Sequence, residues 1–183
     1  MLDNEIILIV GRSGSGKSAA AKELEKLYGW KILQSYTTRP PRYEGEDGHE
    51  FVDKTEFDKL QNKCAYTEFA GYEYCATDEQ IEKADIYIID PAGIEFFLRH
   101  YHGSKTPICF LIDASTKESL RRMMNRKGST WEECKRRIDN DEKAFGDVKD
   151  TLSILNLQSF IIDGESLMPQ DIALEVKRLV DEL

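Results

Sequence analysis

Short apolar runs recur along an otherwise polar chain, at residues 5–10, 31–34, 85–89, 107–112 and 158–162. The first, Glu5-Ile6-Ile7-Leu8-Ile9-Val10, is continuously apolar after its leading acid, the pattern of a strand buried on both faces. Helical patterns separate most of the runs. One covers Ala19–Leu27, rich in strong helix formers and stopped by Gly29. Others run from about Ala92 to His100, from about Thr116 to Arg126, and over roughly 169–182, where Pro169 suits a first helical position. Ser115-Thr116-Lys117-Glu118 and Thr130-Trp131-Glu132-Glu133 have capping-box spacing and mark two helix starts. Strands alternating with helices predict an α/β fold with a parallel, helix-covered sheet.

Two segments break the alternation. Residues 35–84 are polar and rich in turn formers (Pro40, Pro41, Gly45, Gly48, Gly71), with one short capped helix expected at Thr55–Gln61. A stretch of that length exceeds an ordinary loop, so a functional subdomain is expected there. The second, about 127–145, reads as an irregular element suited to a mobile lid.

Composition narrows the class. With 183 residues, 40% hydrophobic and 32% charged, the chain reads as one globular domain, neither disordered nor membrane-spanning. Its acidic start does not resemble a signal peptide. Cys64, Cys75, Cys109 and Cys134 are widely spaced and read as reduced thiols of a cytoplasmic protein. His49, His100 and His102 lack the spacing of metal ligands. A net charge of −9 argues against general nucleic-acid binding. The charge is nevertheless uneven: residues 117–137 hold eight basic and three acidic groups, so +5 there stands against −14 elsewhere. Such a contrast suits a compact polyanion such as a triphosphate.

Gly11-Arg12-Ser13-Gly14-Ser15-Gly16-Lys17-Ser18, between the first strand and first helix, matches G-x-x-x-x-G-K-[ST]. Glycines let the backbone aim several N–H groups at phosphate oxygens, and the new helix adds its positive end. Gly11, Ser13, Gly14, Ser15, Gly16, Lys17, Ser18 and the following Ala19 are the expected ATP-binding residues. Lys17 would reach the outer phosphates, and the Ser18 hydroxyl would ligate Mg²⁺. Ser35-Tyr36-Thr37-Thr38-Arg39-Pro40-Pro41-Arg42 carries a second anion signal, two arginines braced by two prolines.

That stretch, continued by Gly45-Glu46-Asp47-Gly48-His49-Glu50-Phe51-Val52, closely resembles the guanylate kinase family, and with the phosphate loop the resemblance extends over nearly the whole chain. The resemblance implies a P-loop nucleoside monophosphate kinase fold: a five-stranded parallel core (1–34, 85–126, 146–183), an acceptor-binding insertion at 35–84 and a lid at about 127–145. It implies that Arg39, Arg42 and Tyr74 hold the acceptor phosphate and that Ser35 and Glu68 face the base, Glu68 being eleven residues after Phe57. Asp90 corresponds to the second acid of the family's D-x-D stretch, and Arg122, Arg126 and Arg137 to its phosphate-clamping arginines.

The chain also departs from the family. His49 replaces the usual tyrosine in a loop two residues shorter, and Cys75-Ala76 replaces Gly-Ser or Gly-Thr. Ala76 has no hydroxyl for the guanine carbonyl, for which Thr77 is a candidate substitute. Ile88 replaces the first acid of D-x-D, and Ala92 the usual glutamine. The implied activity is Mg²⁺-dependent phosphoryl transfer from ATP to GMP or dGMP, with Lys17, Arg39 and the lid arginines catalytic, in a monomer or homodimer with small nucleotides as partners. Open alternatives are another acceptor (a different nucleotide or a phosphorylated sugar) and a non-catalytic module for phosphorylated partners.

Overall fold

The computed structural model describes residues 1–183 apart from Met1, Asp3, Arg42, Ala70, Lys127 and Asp147. Strand β1 (Glu5–Val10) lies at the centre of a parallel sheet, flanked by β6 (Ile86–Ile88) and β7 (Thr106–Asp113), with β8 (Ser159–Asp163) beyond β7. Its unbroken apolar run is explained by the layers around it. Ile6, Leu8 and Val10 face one core and Ile7 and Ile9 the other, and all five are fully buried. Each such side chain contributes about 1.5–3 kcal/mol on burial.

The face of Ile7 and Ile9 is covered by α1 (Lys17–Tyr28) and α8 (Pro169–Asp181), through Ala20, Ala21, Leu24, Ile172 and Val176. The opposite face packs against Ile94 and Phe97 of α4 (Pro91–His100), and against Phe145, Val148 and Leu152 at the end of α6 (Trp131–Phe145) and in α7 (Val148–Ile154). Helix α5 (Thr116–Met124) follows β7, with the Ser115 side chain accepting from the Glu118 N–H as its capping pattern predicts.

The main sheet has four strands among the described residues, one fewer than the five expected. The run at 31–34 is reduced to a single bridge, Ile32 to Ile86, with the Leu33 N–H donating to the Ile86 carbonyl at 2.8 Å. Its partner β6 is only three residues long, and the chain leaves at once to start a second sheet. That sheet runs β3-β2-β5-β4, from β2 (Ser35–Thr37), β3 (His49–Phe51), β4 (Lys63–Phe69) and β5 (Tyr72–Thr77). Helix α2 (Lys54–Lys59) is capped by Asp53, and α3 (Asp78–Lys83) by Thr77.

Residues 131–145, within the stretch expected as an irregular lid, form the continuous helix α6, opened by the Thr130 cap that the spacing predicts and with Cys134, Ile138 and Phe145 buried along one side. The described residues show no separate lid. All four cysteines are buried free thiols. No helix of the described residues is long and apolar enough to cross a membrane.

Candidate active site

The phosphate loop is held from beneath by backbone. A Cβ on Gly11 would stand 2.7 Å from the Ile112 carbonyl oxygen, and one on Gly14 2.5 Å from that of Ser119. Gly14 also has φ +84°, so glycine is required there by space and by conformation. Gly16 precedes α1 in a left-handed conformation, and no side chain caps the helix start. The first N–H groups of a helix have no partner within it, so this end is built to receive an anion. Ser18 and Ala19 are exposed there. The Lys17 ammonium folds back onto the loop and donates to the Arg12 carbonyl at 3.1 Å.

Helix α6 meets this loop. The Asp141 carboxylate accepts from the Ser13 N–H at 2.6 Å, taking one of the loop's amides. Burial pushes the Lys17 pKa down to about 8, opposed by the charge of Asp141 and assisted by those of Arg137 and Arg126. Two of the three expected clamping arginines, Arg126 and Arg137, therefore lie within electrostatic reach of Lys17. Arg122 does not serve as expected. Its guanidinium is spent on the carbonyls of Ser15, Gly164 and Glu165 (3.2, 2.6 and 3.0 Å) and on Glu118 at 2.7 Å. In this arrangement it braces the loop.

The second candidate anion site is organised around Arg39, which follows β2. Two of its nitrogens grip the Glu46 carboxylate at 2.8 and 3.1 Å, and one also reaches the Pro40 carbonyl at 2.8 Å. Both side chains of this pair are nearly buried. Burial opposes the charge, but the Glu46 pair and a hydrogen bond with Tyr74 hold the guanidinium pKa above its ordinary value. The Arg39 Nε is buried and has no partner among the described residues, a donor suited to a ligand oxygen. Arg42, its expected companion, lies outside the described residues.

Both sites open into one cavity of about 240 Å³. Gly11 and Lys17 line it from the loop; Ser35, Arg39, His49 and Tyr74 from the second sheet; Asp90 from the start of α4. The Ser35 hydroxyl and His49 Nδ1 are 2.9 Å apart, and the His49 ring lies 5.5 Å from that of Tyr74. Asp90 caps α4, its Oδ1 accepting from the Gly93 N–H at 2.7 Å.

Three base-side expectations do not fit this geometry. Glu68 is exposed and stands opposite Glu73 in the β4–β5 register, while Ala65 and Thr67 line the cavity from the same strand. A one-residue offset in a strand selects the opposite face. Ala76 is fully buried in the apolar core and does not line the cavity. Thr77 does not replace it, because it is buried at the cap of α3, where its hydroxyl accepts from the Gln80 N–H, and it does not line the cavity. Conversely, the cavity includes Asp141, Phe145, Thr67 and Tyr87, which sequence reasoning did not single out. For Asp141 a signal existed: it lies four residues after Arg137, on the same helical face.

A strand, glycine-rich loop and helix around one lysine, on a parallel sheet covered on both faces, define a P-loop nucleotide-binding protein. A sequence profile of the guanylate kinase family matches residues 3–167. The chain belongs to the guanylate kinase family of nucleoside monophosphate kinases. In fold it is similar to guanylate kinase from Anaplasma phagocytophilum, at TM-score 0.60 and 19% identity, with 98% of this chain and 86% of that one covered. No curated protein sequence matches it.

Proposed function

We propose that this protein transfers the γ-phosphoryl group of ATP to the phosphate of a nucleoside monophosphate, with GMP and dGMP as the acceptors that family membership puts first. The observation that carries this reading is that Lys17 and Arg39, centres of two separate anion sites, line the same cavity. Residues 35–84 would form the acceptor-binding part and the remaining β-strands the donor-binding core, with α6 supplying charge above the loop.

The acceptor is already an anion, so the transfer needs no strong general base; alignment and charge compensation carry the catalysis. Loop amides and Lys17 hold the donor phosphates. Arg39, with Tyr74, offsets the negative charge of the acceptor and lets one anion approach another. Arg126 and Arg137 add positive charge on the α6 side. A magnesium ion would be held by the exposed Ser18 hydroxyl together with phosphate oxygens and water. It would supply neutralisation of phosphate charge there.

A second reading, an acceptor other than a guanine nucleotide, is favoured by the outward position of Glu68 and the burial of Ala76. A purely binding role is disfavoured by the intact Gly16-Lys17-Ser18. Incubation with ATP, Mg²⁺ and GMP, followed by separation of nucleotides, tests the proposal. ADP and GDP should appear in equal amounts; nucleotide binding without ADP formation would defeat it.

A further inference from the structure

We infer that the acceptor site selects weakly among bases: it is built to take nucleoside monophosphates of more than one base, recognised through the phosphate. This rests on the kinase reading above and concerns the same cavity.

Strong discrimination between bases needs buried polar groups that the wrong base leaves unpaired, and such sites reject analogues by about 10⁴–10⁵-fold. Guanine presents a ring N–H and an amino group side by side, which a carboxylate pairs with both oxygens. No carboxylate stands free for that task on the β4 wall. Register sends Tyr66 and Glu68 to the face of Glu73, where Tyr66 donates to Glu73 at 3.0 Å. The cavity receives Ala65 and Thr67 from that strand. The two carboxylates that do line the cavity, Asp90 and Asp141, each hold a backbone amide, of Gly93 at the start of α4 and of Ser13 in the phosphate loop.

The polar groups that remain can change roles. Ser35 and His49 form a hydroxyl–imidazole pair whose donor and acceptor depend on the tautomer. Thr67 and Tyr87 bring hydroxyls that rotate to donate or to accept. A wall of this kind satisfies a carbonyl, a ring nitrogen or an amino group at similar cost. The phosphate end is different: Arg39 is fixed by Glu46, Pro40 and Tyr74. Recognition is therefore rigid at the phosphate and adaptable at the base.

The test is a comparison of kcat/KM for GMP, AMP, CMP, UMP and dTMP with the unmodified protein, ATP and Mg²⁺. The expected result is that at least two bases are used within about 100-fold of each other, the range available without dedicated hydrogen-bond readout. A preference of more than 10³-fold for one base over all others would overturn the inference while leaving the kinase reading intact. No ADP with any monophosphate would overturn both. Thr67→Glu sharpens the result by placing a carboxylate on the cavity wall. It should raise the GMP-to-AMP ratio at least tenfold, and an unchanged ratio in a folded variant would remove β4 from base recognition. The panel on the unmodified protein decides the matter even if this variant fails to fold.

Discussion

Under the proposed function, the two ends of the cleft would hold anions by different means. At the donor end, main chain does the work: amides of a loop pinned against the Ile112 and Ser119 carbonyls, braced behind by Arg122. At the acceptor end, side chains do it, on a small sheet whose strands β2 and β3 are three residues each. Main-chain geometry tolerates change in most side chains but not in its glycines. A side-chain site is retuned by single substitutions. The departures that the resemblance implies fall at His49, Cys75, Ala76, Ile88 and Ala92, and none falls within Gly11–Ser18.

The contrast can be broken at its strongest point first. Lys17→Met should lower kcat by on the order of 10³-fold or more, since it removes the charge that loop amides cannot replace. The unfolding temperature should stay nearly unchanged, because burial already disfavours the charged lysine. A variant that keeps kcat within tenfold would show that the amides suffice alone.

Arg39→Ala should act on the acceptor side, raising KM for the monophosphate far more than KM for ATP. It should also cost about 3–5 kcal/mol of stability by leaving the Glu46 carboxylate buried without its partner. Adding Glu46→Gln should restore the unfolding temperature without restoring acceptor use. If it restored both, Arg39 would be a structural residue and the acceptor clamp would lie elsewhere.

The smallest effect concerns pH. The charged Lys17 predominates below about pH 8 in the free protein, so kcat/KM for ATP should fall as pH rises through that value. Asp141 holds this pKa up. Asp141→Asn should therefore move the alkaline limb to lower pH, and a limb that stays put would mean that another group governs it.

How much of this could be read from the residues follows the same division. The phosphate loop is local: strand, glycines, lysine and helix are contiguous, and each constrains its neighbours. The continuous apolar run of β1 likewise announced a strand between two cores. What escaped was non-local. Residues 31–34 have strand composition, yet the strand they bridge to, β6, is three residues long, and among the described residues pairing stops at Ile32. Strands β4 and β5 contain Lys63, Glu68 and Glu73, and their polarity hid a sheet inside a segment rich in turn formers. The face that Glu68 takes depends on register against β5, which spacing from Phe57 does not encode. Arg122 looked like its neighbours in a basic cluster, and only the folded loop supplied the three carbonyls that occupy it.

Asp141 on the Ser13 amide and Glu46 on Arg39 are tethered to the molecule, so each competes intramolecularly for the group it holds. Stray monovalent ions meet an occupant that is never diluted away. Under the proposed function, a ligand that brings several oxygens at once would displace it more readily, so the resting cleft would favour polyvalent anions before any base is read.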